Sequence, residues 1–453
     1  MPRKSLIISA ATLIVISGFL ATTAPAFAAS KEKILYSFCS RANCADGAGP
    51  LTSLIFDAAG NLYGTTDSGG RGCDGGCGVA FRLTLHTHGN WTETVLRTFC
   101  PGCTNGALSP SSLAFDSAGN LYGVFNSGGP DDYCGVGEPC GQVFELLPSE
   151  SGPWSEKILF GFVNKLGWGP FGGLILDGAG NLYGATVSGG YGRCDEDNDG
   201  CGTVFEASPG ENGKWALKFP YAFDGSDGAV PVGSLVFDAA GNLYGSSQAG
   251  GPAKCYTPYL GCGTVFKLTR RADGQWTLTN LHYFGDGNHG SFPNGSLIFG
   301  AAGNPYGTTQ SGGASDSCPA YGYFWGCGTV FELVHGADGK WAHKVLHSFS
   351  DDGKDGYYPN GGLVFDKAGN LYGTTPFGGS GQGCGKYGCG VVFELTPGAN
   401  GKWTYKIVHS FKNDGKDGAG PDAGLIMDQA GNLYGTTAGG GAAGYGTVFE
   451  VTP

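Results

Sequence analysis

The segment Gly60-Asn61-Leu62-Tyr63-Gly64 returns at Gly119, Gly180, Gly241, Gly303, Gly369 and Gly431, with one change, Pro305 for Leu. Self-similarity at a nearly fixed period marks solenoids, propellers and arrays, and excludes most other folds at once. Each of the seven units holds four short runs rich in β-branched and aromatic residues, bounded by Gly, Asp, Asn or Pro. In the sixth unit these runs are 362–366, 370–375, 390–395 and 403–411. The first two are joined by Asp366-Lys367-Ala368-Gly369-Asn370. There an Asp side chain can cap backbone N–H groups while Gly takes the left-handed conformation, which predicts a tight hairpin. Four antiparallel strands per unit, seven times over, predict an all-β, seven-bladed β-propeller.

The chain ends separate a closed ring from an open array. Lys33-Ile34-Leu35-Tyr36-Ser37-Phe38 matches a fourth strand such as Lys344-Val345-Leu346-His347-Ser348-Phe349. The C-terminal Gly446-Thr447-Val448-Phe449-Glu450-Val451 matches a third strand. The N-terminal strand is therefore predicted to complete the last blade and close the ring. An open array would leave both as exposed edges.

The wording of the repeat is itself specific. Leu-Ile-Phe-Asp-x-Ala-Gly-Asn-Leu-Tyr-Gly-Thr-Thr, then Ser-Gly-Gly, then Gly-Thr-Val-Phe-Glu-Leu, resembles the bacterial GloVer tandem repeat of choice-of-anchor proteins. The resemblance implies an exported, propeller-like repeat protein and no particular activity. The fifth unit departs from the pattern at Gly300, in place of the turn Asp, and at Pro305, in place of a strand Leu. Pro removes a ladder donor, so a local distortion is expected in that blade.

Residues 1–28 read as a signal peptide: Arg3 and Lys4, then an apolar stretch, then Ala26-Phe27-Ala28 as a small-x-small cleavage site. Residues 29–453 read as one propeller domain. The expected location is secreted or periplasmic, with no membrane insertion after signal removal. Loss of Arg3 and Lys4 takes the formal charge from −12 to −14. That acidity disfavours nucleic acid as a partner. All 16 Cys fall into eight close pairs, such as Cys39/Cys44, Cys194/Cys201 and Cys384/Cys389. Even count, local pairing and an export signal favour disulfides over zinc, which would need four clustered ligands.

Every Cys pair lies in a loop after a second or fourth strand, and these loops share one face of an up-and-down propeller. Variable loops on a rigid scaffold are where binding normally resides. On that face the slot fourteen residues before the marker Gly holds Asp46, Asn105, Leu166, Asp227, His289, Asp355 and Asp417. A partial carboxylate ring is one reading, and turn chemistry at Asp-Gly is the other. Trp168, Tyr323 and Trp325 stand outside the repeat pattern and suit sugar rings or a protein partner, or else loop packing. Asp195, Asp197 and Asp199, with Glu206 beyond them, fit the spacing of a calcium loop. No cofactor is expected to be required, and a Ca²⁺ ion there would be structural.

The chain has no Gly-x-Ser-x-Gly elbow, no His-Glu-x-x-His and no phosphate-cradling Gly-Lys-Ser/Thr. The leading expectation is a monomeric, non-enzymatic binding or scaffold propeller holding a glycan, peptide or protein on the Cys-loop face. The alternative is a polysaccharide hydrolase or lyase using Asp227, Asp355 and Asp417. That alternative requires two carboxyl groups within about 5–10 Å of each other in a cleft.

Overall fold

The structure is a computed structural model. It describes residues 31–71, 77–99, 110–127, 140–149, 152–163, 166–192, 194, 200–253, 255, 261–285, 287–315, 317–318 and 326–453. Seven four-stranded antiparallel blades form a ring, as the repeat predicts. In the first blade the strands are Ile55–Phe56, Leu62–Thr65, Val79–Leu85 and Trp91–Thr98, paired in that order. The last blade contains Ile426–Met427, Leu433–Thr437 and Thr447–Thr452, and its fourth strand is Lys31–Ser37. Lys31 pairs with Thr452 and Ser37 with Thr447, so the N-terminal strand closes the ring.

One pairing explains both the second glycine of the repeated Gly-Asn-Leu-Tyr-Gly segment and a core phenylalanine. Gly64 lies opposite Phe81 in the ladder. A Cβ on Gly64 would come within 2.7 Å of the Phe81 ring. The second strand must therefore present a bare backbone, against which the aromatic ring of the third strand lies. Phe81 in turn meets Phe38, the residue just past the preceding fourth strand, with ring centroids 5.0 Å apart. The same pair recurs between neighbours as Phe162–Phe205, Phe284–Phe331 and Phe411–Phe449. These rings are fully buried, and each gathers apolar surface from two blades. The tryptophans that open the fourth strands pack on a tyrosine of the neighbouring blade, as Trp154 does on Tyr63 at 6.3 Å.

The hairpin turn has the predicted cause. Asp57 Oδ1 accepts from the N–H groups of Ala59 and Asn61, both at 2.9 Å. Its Oδ2 accepts from Asn61 Nδ2 at 2.6 Å and the Tyr63 hydroxyl at 3.0 Å. Burial alone would raise this carboxyl; the hydrogen bonds outweigh it and hold it below the usual carboxylate range. In the fifth blade Gly300 keeps the turn through backbone bonds alone, Gly300 N–H to Asn304 O and Gly303 N–H to Gly300 O. Tyr306 donates instead to Glu332, at 2.7 Å. Pro305 costs that blade one ladder pair, since pairing with the third strand begins at Tyr306. The distortion stops there, because the four pairs from Tyr306 to Thr309 are intact.

In several blades the innermost strand is broken by a bend. In the third blade it consists of Trp168–Pro170 and Ile175–Leu176, both paired with Leu182–Ser188. The first piece is tied to the preceding blade. Gly169 N–H donates to Cys140 O, Val230 to Cys201 O, Phe292 to Cys262 O, Tyr358 to Cys327 O and Gly420 to Cys389 O, at 2.8–3.0 Å. Val230, Phe292 and Tyr358 hold φ of +57° to +58°, a left-handed backbone that bulky L-residues adopt only under constraint.

Disulfides join Cys39–Cys44, Cys194–Cys201, Cys255–Cys262, Cys318–Cys327 and Cys384–Cys389. In the last four, the carbonyl oxygen of the second cysteine accepts the hydrogen bond that holds the next blade's inner strand. Among the described residues no helix is long and apolar enough to cross a membrane.

Candidate functional site

The segments that lead into the inner strands of all seven blades meet on the ring axis and enclose a cavity of about 310 Å³. One residue per blade leads into each strand. Around the ring these are Leu51, Pro110, Phe171, Val232, Asn294, Asn360 and Asp422. The first four are apolar and adjacent; the last three are polar and adjacent. Leu51 and Phe171 are exposed, at 42% and 55%.

The polar arc is a connected chain. Asn294 Nδ2 donates to Asn360 Oδ1 at 3.1 Å, and Asn360 Nδ2 donates to Asp422 Oδ1 at 2.6 Å. Burial raises the Asp422 carboxyl, and the Asn360 hydrogen bond offsets part of the rise. Beside this arc the Oε1 atom of Gln310 is enclosed and has no hydrogen-bond partner among the described residues. Gln310 shares a pocket with Tyr358, Asn360, Phe377 and Asp422. Asp67 and Asn126 also line the axial cavity. Both lie within two residues of the end of a second strand, so the cavity lies toward the Cys-loop face.

The carboxylates singled out in the sequence lie elsewhere. None of Asp46, Asp227, Asp355 and Asp417 lines the axial cavity. Each is held by the fourth strand and turn that precede it. Asp46 accepts from the Tyr36 hydroxyl at 2.8 Å, Ser40 N–H at 2.9 Å and Ser40 Oγ at 2.7 Å. Asp227 accepts from the Tyr221 hydroxyl and from Asp224 N–H. Asp355 contacts His347 Nε2 at 2.9 Å and accepts from Gly356 N–H at 2.7 Å. Asp417 contacts His409 Nε2 at 3.1 Å and accepts from Gly418 N–H at 2.7 Å.

These carboxylates sit in seams between blades. Counted from the repeat's tryptophan position at the start of each fourth strand (Trp91, Trp154 and their equivalents), the seventh residue of one fourth strand meets the third residue of the next. Arg97 pairs with Glu156 at 2.8 Å. Phe160 gathers with Leu217, and Tyr221 with Leu278. His282 stacks on His343 and His347 on Tyr405. His409 faces Glu32, and Tyr36 lies under the field of Glu93. Glu93 is itself paired with Arg41 at 2.6 Å.

The remaining candidates scatter. His289 is exposed, its ring 5.7 Å from that of His343. Trp168 is half-buried, pairs with Ser188 and packs with Phe160 and Phe162. Glu206 lies in a third strand, opposite Tyr183 and Lys218, and the chain there continues as strand, where a calcium-loop helix would otherwise follow. Asp195, Asp197, Asp199, Tyr323 and Trp325 lie outside the described residues, as do residues 1–28.

Asn294, Asn360 and Asp422 escaped the sequence reading, yet a signal exists. They occupy the most variable slot in an otherwise monotonous Pro-x-Gly/Ala-Gly/Ser-Leu stretch.

A ring of near-identical blades closed by its own N-terminal strand defines a tandem-repeat propeller. The chain belongs to the Gloeobacter/Verrucomicrobia repeat family, whose sequence model matches residues 135–323, 195–383 and 317–453. No curated protein matches it in sequence. It is similar in fold to a periplasmic gluconolactonase of Pseudomonas aeruginosa, at 15% identity over 80% of this chain and 85% of that one, TM-score 0.46. It is also similar to an α-L-arabinofuranosidase of Fusarium graminearum, at 14% identity over 75% and 91%, TM-score 0.43. Both likenesses are remote and say nothing about substrate.

Proposed function

We propose that the protein is a non-enzymatic binding propeller acting outside the cytoplasm, and that its ligand enters the axial cavity from the Cys-loop face. The observation that carries this is the division of the cavity wall. Asn294, Asn360 and Asp422 form one polar arc, and Leu51, Pro110, Phe171 and Val232 form one apolar arc. A sugar or polyol end-group has this same two-sided character, with hydroxyls on its rim and C–H groups on its face. Amide and carboxylate groups can satisfy the hydroxyls, while Phe171 covers the C–H face. The hydrolase reading has less support, because Asp227, Asp355 and Asp417 belong to three different seams, each already hydrogen-bonded.

The test is an oligosaccharide array probed with the disulfide-intact protein, with reducing ends assayed in parallel. Binding that is lost in both Asn360→Ala and Phe171→Ala supports the proposal. Binding undiminished in both variants, or no oligosaccharide bound, overturns it. Release of reducing ends would replace it with the hydrolase reading.

A further inference from the structure

Three of the seven seams carry a glutamate at the third position of the fourth strand: Glu93, Glu156 and Glu32. Glu156 is met by Arg97 at 2.8 Å and Glu93 by Arg41 at 2.6 Å. Glu32, in the ring-closing strand, is met by no Lys or Arg among the described residues. It faces His409 and Asp417 of the preceding blade, and one ligand atom from each of the three lies within 4.8 Å of the others. The Oε1 atom of Glu32 is enclosed and has no hydrogen-bond partner among the described residues.

We infer that Glu32, His409 and Asp417 form a binding site for a divalent first-row transition ion such as Zn²⁺, which ties the closing strand to the sixth blade. The donor set is one imidazole nitrogen and two carboxylates, a combination suited to such ions. The His409 Nε2 to Asp417 Oδ2 separation is 3.1 Å. That is close to the edge of about 3.3 Å expected between ligands of a tetrahedral ion with bonds near 2.0–2.1 Å. His409 and Asp417 side chains retain 17% and 10% exposure, so the ion has a way in and a place for water as fourth ligand.

The charge count agrees. The charged groups acting most strongly on Glu32 are Asp417, His409 and Asp414. Burial and the two aspartates push its carboxyl up to about 7, against the opposing effect of His409. The seam one blade earlier is a built-in control. It has the same His347–Asp355 pair, but Tyr405 stands where Glu32 does.

The experiment is calorimetric titration of the chelator-treated full protein with Zn²⁺, with melting temperature recorded alongside. One site and a rise in melting temperature are expected, since a ligand that binds only the folded state stabilises it by mass action. Glu32→Gln should weaken binding by more than about tenfold, whereas His347→Gln should leave it unchanged. Co²⁺ added to the unaltered protein provides a second readout that needs no variant, a visible spectrum of low-coordinate nitrogen and oxygen ligation. Absence of one-site binding, or binding unchanged in Glu32→Gln, overturns the inference. So does a Co²⁺ spectrum of the hydrated ion.

Discussion

The imidazoles of His282 and His343 stack face to face across the seam of the fourth and fifth blades, with centroids 4.3 Å apart and planes 11° from parallel. Burial pushes them down to about 4 and about 3, helped at His282 by the field of His289 and at His343 by those of His282 and His289. Both are therefore neutral in the fold when an unfolded histidine is already protonated. Their stabilising contribution is complete above the unfolded value of 6.5 and is lost as pH falls from 6.5 toward 4. Melting temperature should drop across that window. His343→Leu, which copies Leu217 and Leu278 in the same slot, should flatten the drop. Identical pH profiles for the two proteins would remove the stack as its cause.

Glu32 and Glu93 act in the opposite sense. Burial, the largest cause in both, raises each to about 7 from 4.5. The unfolded chain releases these protons first, so stability is lost as pH rises from 4.5 to 7. Arg41 limits the rise at Glu93. Arg41→Ala should cost about 1–3 kcal/mol in denaturant unfolding, because it leaves the buried carboxylate unpaired. Arg41→Ala with Glu93→Leu should recover most of that loss.

Gly184→Ala should destabilise the third blade by about 1–3 kcal/mol or more, an overpacking cost. The new Cβ would lie 2.5 Å from the Phe205 ring. Adding Phe205→Leu should make the two changes less costly together than their sum. Strict additivity in a double-mutant cycle would show that the ring does not dictate the glycine.

Deleting residues 31–37 should increase self-association relative to the intact protein. Thr447–Thr452 would then be an unpaired edge strand with Val448 and Val451 on it. Light scattering before and after adding a peptide of sequence 31–38 measures this, and the peptide should reverse it.

The fold was readable because Gly60, Gly119 and their successors set a period, and because the half-units at Lys33–Phe38 and Gly446–Val451 fit each other. Neither inference needs a three-dimensional contact. The seams were not readable in that way. Aligning units shows that Tyr36, Arg97 and His409 share a slot, as do Glu32, Glu93 and Tyr405. It does not show that one slot meets the other across a blade boundary, because that depends on how blades lean together. Asp355 and Asp417 were thus grouped by repeat position, when their nearest chemistry is His347 and His409. The axial arc was hidden for a similar reason, since Asn294, Asn360 and Asp422 lie more than sixty residues apart and touch only in the closed ring.

The pairing of Lys31–Ser37 with Thr447–Thr452 sets an order of events. A chain is made from its N-terminus, so the earliest of these residues to appear are the last to find their place. Through the synthesis of six blades the first strand has no partner, and the seventh blade cannot finish without it. The two strands must meet over a contour of more than four hundred residues, so the final step reports that all seven blades are present. A product truncated before Thr447 could stack blades but never seal the circle, which makes closure a check on the blade count.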